Sequence, residues 1–163
     1  MKIKFLFLVL FSMFLLTSCG SSKNTAYKSN YSKKASNKNE QVVRTAKSFL
    51  GTKYKYGGTT KKGMDCSGLM YVSFSEVGIQ LPRRSADMAS KGQKITKDRA
   101  QKGDLIFFKT GKSGAKINHV GVVSRVSKGV IYFVHSSTSK GVIESSLATD
   151  YWNKSFRLIK RIL

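Results

Sequence analysis

The chain is 163 residues long and carries 30 Lys and Arg against 8 Asp and Glu, a formal charge of +22. Such an excess fits a polyanionic neighbourhood, but no recognisable nucleic-acid module accompanies it, which argues against nucleic acid as the partner. No internal repeat is visible, which excludes a solenoid or propeller.

Lys2 and Lys4 precede an apolar run of 12 residues, 5–16. A bilayer-spanning helix needs about 20, so residues 1–18 are expected to be a signal peptide that is removed on export. The following LTSC resembles the lipobox of bacterial lipoproteins. That resemblance implies that Cys19 is acylated through its sulfur, becomes the mature N-terminus and anchors the protein to a membrane of the bacterial envelope. Residues 20–39 hold five Lys, no acid and no aliphatic side chain larger than Ala. They cannot bury enough apolar surface to offset ordering, so 19–39 is expected to be a flexible tether. Residues 40–163 are enough for one compact domain. With 23 basic and 8 acidic residues that domain carries +15 by itself, so anionic envelope polymers or lipid head groups are candidate partners.

Within the domain, Val42, Val43, Ala46, Phe49 and Leu50 share one side of a helix over 40–50, stopped by Gly51. A loop is expected through TKYKYGGTTKKGM. Asp65 can cap a second helix over 66–77 whose packed face is Leu69, Met70, Ser73, Phe74 and Val77. LPRRSADM leads into a short third helix. Strands follow: DLIFFK, INHVGVVSRV, VIYFVH, GVIES and SFRLIKRI. Helices first and an antiparallel sheet afterwards make an α+β domain.

If Cys19 carries lipid, Cys66 has no partner for a disulfide. An unpaired thiol outside the cytosol is either inert and buried or reactive. Its position at the first turn of a helix favours a thiolate, with Asp65 in partial opposition. A nucleophilic thiol also needs an imidazole, and only His119 and His135 exist. A three-residue hairpin loop at 127–129 sets Val126 opposite Val130 and His119 opposite Ser137. Both rings then lie on one face at a diagonal of about 7 to 8 Å. A two-residue loop of Lys128 and Gly129 would place them on opposite faces. The three-residue loop is the expectation. Cys66, His119 and His135 lack metal-ligand spacing, so no metal is expected.

The segments GTKYKYGG, MDCSGL, LPRRSAD, KGDLIFF, NHVGVV and VHSSTSKGV resemble, in order, the motifs of the NlpC/P60 cysteine peptidases over about residues 40–163. The resemblance implies a papain-like fold in which a helix bearing the nucleophile packs on an antiparallel sheet that supplies the histidines. It implies hydrolysis of peptidoglycan stem peptides, most often between D-γ-glutamyl and a diamino acid, by a cofactor-free monomer. It assigns Cys66 as nucleophile, His119 as base and acid, and His135 as the group holding His119. Tyr54 is placed beside the nucleophile, and Tyr56 in packing. Asp65 and Ser67 line the substrate cleft and engage a free amine; Arg84 and Ser85 form a further substrate-side pair, and Asp104 is structural. An amidase or acyltransferase using the same Cys/His pair, or a non-enzymatic wall-binding lipoprotein, are the alternatives.

Overall fold

The computed structural model describes residues 37–111 and 116–163. The expected leader, Cys19 and nearly all of the tether lie outside the described residues. Helix α1 covers 37–47 and buries Val42, Val43 and Ala46. It ends at residue 47, three before the end expected from periodicity. The reason is that the chain is drawn into the sheet straight afterwards, with the Gly51 N–H donating to the Val142 carbonyl (2.9 Å) and the Val142 N–H to that of Thr52 (2.9 Å).

The expected loop folds into a two-stranded flap, β1 (Thr59–Thr60) and β2 (Gly63–Met64), paired antiparallel. Its second strand is pinned to the preceding segment, where the Met64 N–H donates to the Lys53 carbonyl (3.0 Å) and the Lys55 N–H to that of Met64 (3.3 Å). Helix α2 (Cys66–Ser75) follows, buries Leu69, Met70 and Phe74, and stops two residues short of the expected end. There the Ile79 N–H donates to the Phe74 carbonyl (3.0 Å) and the Gly78 N–H to that of Ser75 (2.9 Å), with Gly78 at φ +78°. This is the Schellman arrangement, which only a residue tolerant of the left-handed region completes without strain. Helix α3 (Ser85–Met88) is the short third helix.

The sheet is built from β3 (Gln93–Ile95), β4 (Leu105–Phe108), β5 (His119–Ser127), β6 (Val130–Ser137), β7 (Gly141–Ser146) and β8 (Phe156–Arg161). Its order is β3-β8-β4-β5-β6-β7, and every pairing is antiparallel. Five of these strands are those expected; β3 and helix α4 (Asp150–Ser155) are additional. The expected α+β architecture of helices on an antiparallel sheet is the one observed. Among the described residues no helix is long and apolar enough to cross a membrane.

The β5–β6 hairpin corrects the expected loop while keeping its consequence. Ser127 pairs with Val130, so the loop is the two residues Lys128 (φ +48°) and Gly129 (φ +77°). Two successive positive φ values make the turn whose twist matches a hairpin. That register alone would have separated the histidines. A bulge at Ser124 then slips the pairing by one, so that Val123 faces Phe133 and Val122 faces Val134. The extra residue restores both histidines to one face.

The sheet is apolar on both sides. Val120, Val122, Val134 and Val142 pack with α1 and α2. Ile106, Phe108, Val123, Phe133 and Ile159 form a second cluster, closed by Trp152 of α4. Asp104, nearly fully buried, accepts both arms of Arg161 (2.8 and 2.9 Å) and the Gln101 N–H (2.8 Å), a tie between strands consistent with its expected structural role. Ser73, fully buried in α2, has no hydrogen-bond partner for its hydroxyl among the described residues. Ser73→Ala removes an unsatisfied group and favours the helix. We expect it to stabilise the fold by about 1 kcal/mol, a rise in melting temperature of roughly 4 °C by calorimetry.

Candidate active site

Helix α2 begins on the side chain of Asp65. One carboxylate oxygen accepts from the Gly68 N–H (2.6 Å) and the Ser67 hydroxyl (3.2 Å), the other from the Gly57 N–H (2.7 Å). Arg83 forks onto both oxygens (2.9 and 2.8 Å) and also reaches the Ser67 hydroxyl (2.9 Å). Burial alone would raise the Asp65 carboxyl, but Arg83, the Gly68 and Gly57 N–H groups and the nearby guanidinium charge outweigh it and hold the group below its ordinary range. Gly68 follows from the same closeness, since a Cβ there would fall 2.1 Å from the Gly58 carbonyl oxygen.

Cys66, the first residue of α2, is a free, half-buried thiol. Burial pushes it up, and Asp65 adds to this; the backbone N–H groups of Val120, Ser67 and Cys66 itself act in the opposite direction. The Val120 amide directly follows His119, the first residue of β5. The start of β5 therefore meets the start of α2 at the sulfur.

His119 Nε2 lies 3.0 Å from His135 Nδ1, and His135 Nε2 lies 2.9 Å from the Ser145 hydroxyl. An unprotonated Nδ1 on His119 fixes the rest: its Nε2–H donates to His135, whose Nε2–H donates to Ser145. Trp152 stacks on His119 (5.5 Å between centroids, 26° between planes) and meets His135 edge-on (4.6 Å, 69°). Phe108 and Phe133 close the other sides. Burial in this aromatic box lowers His119 to about 4, and burial plus the neighbouring His119 lowers His135 to about 3.

The sign of the resulting pH dependence follows directly. An imidazole accepts a proton only above its own pKa, so if His119 serves as the base the acid limb of turnover is expected near pH 4, well below the ordinary 6.5. Folding is linked in the same sense: between about 6.5 and 4 the unfolded histidines bind protons that the folded ones refuse, so stability drops as pH falls through that window. A rate profile and melting curves recorded between pH 8 and 4 check both; an acid limb centred at 6.5 contradicts the buried pair.

Cys66 lies in a cleft of about 270 Å³. Of the residues expected there, Tyr54, Asp65, Ser67, Arg84 and Ser85 all line it. Tyr54 is half-buried, and burial, then Cys66 and Asp65, push its hydroxyl up, so it stays protonated and able to donate at neutral pH. Tyr56 was expected to pack but is 88% exposed at the cleft margin, because the flap turns it outward. Arg84 is exposed and forks onto Asp87 (2.7 and 2.9 Å). It is Arg83 that reaches into the site. Arg83, Ser145 and Trp152 join the site although the sequence gives no expectation for them. The spacing of Arg84 and Asp87 was a usable signal that Arg84 is engaged. Ser145 follows from the β6–β7 register, in which His135 faces Ile143 and odd-numbered residues share a face. Nothing in the periodicity pointed to Trp152. Among the described residues no three His, Cys, Asp or Glu side chains gather closely enough to hold a metal ion.

The model of the NlpC/P60 family matches residues 51–161, which contain every side chain of this site. The chain belongs to the NlpC/P60 family. It is 47% identical over 116 residues to the probable endopeptidase NlpC of Escherichia coli K12, covering 71% of this chain and 72% of that one. To the murein DD-endopeptidase MepS/murein LD-carboxypeptidase of the same organism it is 40% identical over 116 residues, which cover 71% of this chain and only 58% of that protein. The crystal structure of an NlpC/P60 family protein from Bacillus cereus superposes with a TM-score of 0.68 at 30% identity, over 77% of this chain and 40% of that one.

Proposed function

We propose that this NlpC/P60 chain cleaves amide bonds in peptidoglycan stem peptides with Cys66 as nucleophile, outside the cytoplasm at the cell wall. Relatives named as endopeptidases support the reaction class. What supports the site reading is the chain of contacts His119–His135–Ser145 starting at the strand end whose Val120 amide meets the free Cys66 thiol and whose Asn118 lines the cleft. In this reading His119 Nδ1 takes the proton from Cys66 as the sulfur attacks the carbonyl carbon. The charge left on the ring is spread through His135, which Ser145 orients. The oxyanion of the tetrahedral intermediate is met by backbone N–H groups at the start of α2 and by the Tyr54 hydroxyl. His119 then protonates the leaving amine, leaving a thioester that water hydrolyses with the same imidazole as base. With the thiol pushed up and the imidazole down, the proton rests on sulfur until attack.

The scissile bond proposed is that between D-γ-glutamyl and a diamino acid. Asp65 and Ser67 are bonded to Arg83 and to the helix start, so a free amine of the stem would meet the Asp65–Arg83 ion pair and the Ser67 hydroxyl as one unit, with Tyr54 lining the same cleft. Arg84 and Ser85 flank it. The relative named a DD-endopeptidase makes a cross-link the competing bond. Mass analysis of purified peptidoglycan after digestion separates the readings: cut stems with a new D-glutamate terminus, cut cross-links, whole released stems, transferred acyl groups, or no product. The domain organisation and the anchor belong to the same proposal: leader 1–18 and acylated Cys19 with a tether behind it, while the boundary expected at 39/40 moves N-terminally, because residues 37–39 already belong to helix α1. Cys19→Ala should move the protein from the membrane fraction or block its processing, with turnover on soluble stems unchanged. A shortened chain must keep residues 37–39, because Lys38 Nζ donates to the Val77 carbonyl (3.1 Å) and Asn39 packs on Gly103.

A further inference from the structure

Beside the cleft, residues 52–64 carry Lys53, Lys55, Lys61 and Lys62 and no acid. All four lysines are exposed, and none takes part in an ion pair among the described residues. The flap holds them on one structure, since β1 and β2 pair with each other and β2 pairs back onto the Lys53 and Lys55 backbone. The flap is also fastened to the catalytic helix, with the Asp65 N–H donating to the Gly58 carbonyl (3.2 Å) and the Gly57 N–H to the Asp65 carboxylate (2.7 Å). The nearest acid, Asp65, is neutralised by Arg83, so nothing local cancels the four charges. Tyr56, between Lys55 and Gly57, presents an almost bare ring at the cleft margin. Cation and aromatic surface are thus set on a rigid lip of the site itself.

We propose that this flap is a docking surface for the carboxylates of neighbouring stems on the same peptidoglycan strand, so that the enzyme works on polymer in preference to isolated stems. The inference rests on the peptidase reading above. A γ-glutamyl linkage leaves the α-carboxyl of each glutamate free, so a strand bearing many stems is a polyanion with one stem in the cleft and others alongside. A membrane surface is disfavoured as the occupant, because a bilayer seated on the flap would cover the cleft mouth next to it. Each exposed lysine contributes little alone, and the four act through simultaneous engagement. Single Lys→Gln variants should change polymer KM less than about threefold, and the four together about tenfold.

The test compares insoluble sacculi with soluble single stems as substrates for the wild type, for Lys53→Gln/Lys55→Gln/Lys61→Gln/Lys62→Gln, and for the simpler charge reversal Lys61→Glu/Lys62→Glu at the exposed hairpin tip. A distal control replaces Lys91, Lys94, Lys128 and Lys154, all exposed, with Gln. Binding is measured separately by cosedimentation with sacculi and with phosphatidylglycerol vesicles, using Cys66→Ala to block turnover and Cys19→Ala to remove any acyl chain. Expected is an approximately tenfold rise in polymer KM and a weaker salt dependence for the flap variants, with single-stem turnover within twofold and the distal control unchanged. Equal losses in the distal control would reduce the flap to general surface charge and overturn the proposal. So would loss of binding confined to vesicles, or polymer KM unchanged in both flap variants. If the wild type cut neither substrate, the peptidase reading would fail, while cosedimentation would still decide whether the flap binds wall polymer.

Discussion

Cys66→Ala is expected to lose stem hydrolysis by about 10⁴-fold or more while keeping its melting temperature, because no other nucleophile can supply the covalent step. Cys66 is half-buried and joins the apolar contacts of α2 only through its side, so truncation leaves a small void and the Asp65 cap intact. His119→Ala should be comparably severe, since the thiol is pushed up by burial and sheds its proton only to an imidazole. The remaining relay grades downward. His135→Ala leaves His119 without its orienting partner and should cost about 10- to 100-fold. Ser145→Ala loses a single hydrogen bond and should cost less than about tenfold. Combining Cys66→Ala with His119→Ala should be no worse than Cys66→Ala alone, because the two act as a unit. Single-turnover rates on a soluble stem, with circular dichroism as the folding control, check the series. Retained turnover in a folded Cys66→Ala protein would remove the thiol from the mechanism.

Local physics made the α2 start legible. Asp before Cys-Ser-Gly reads as a cap, and the cap is there with a 2.6 Å bond to the Gly68 N–H. The strands from β4 onward were legible for the same reason, because β-branched and aromatic runs bounded by turn residues have few other uses. The pairing of the two histidines was legible in outcome though not in route. A three-residue loop and a two-residue loop with a downstream bulge give the same parity, and a bulge at Ser124 leaves no mark in composition. Side chains that meet across long separations were opaque. Arg83 reaches Asp65 from 18 residues away, and its neighbour Arg84 has the same chemistry, so only the phase of the chain entering α3 decides which one enters the site. Trp152 comes from beyond the last catalytic strand, and no periodicity announces a six-residue helix whose ring covers two histidines. Tyr56 shows the opposite error: the family resemblance placed it in packing, whereas in a Lys-rich segment without aliphatic neighbours its ring is left exposed at the cleft margin.

Arg83→Gln is the second substitution with a large expected effect, and it acts on stability and on the thiol together. Asp65 is 8% exposed, so losing the guanidinium strands a buried carboxylate. Breaking a fully buried pair costs about 3 to 5 kcal/mol. Arg83 is itself partly exposed, and the Gly57, Gly68 and Ser67 donors remain, so about 2 kcal/mol is the expected loss. The pH dependence has a definite sign. Asp65 is held below its unfolded value, so its contribution is complete above that value and is lost as pH falls through the folded one. The variant should therefore be less stable than the wild type at neutral pH, with the gap closing in acid as the carboxyl protonates. At the active site, Arg83 offsets the negative charge that Asp65 places beside Cys66, so its removal should raise the thiol further. Asp65→Asn should act on the sulfur in the opposite direction, although it also sets an amide against the Gly57 and Gly68 donors and weakens the cap. Alkylation of Cys66 by iodoacetamide across pH reads this directly. The reactivity curve should move to higher pH in Arg83→Gln and to lower pH in Asp65→Asn. Curves that coincide with the wild type would mean that the Arg83 and Asp65 pair holds the flap and helix together without tuning the nucleophile.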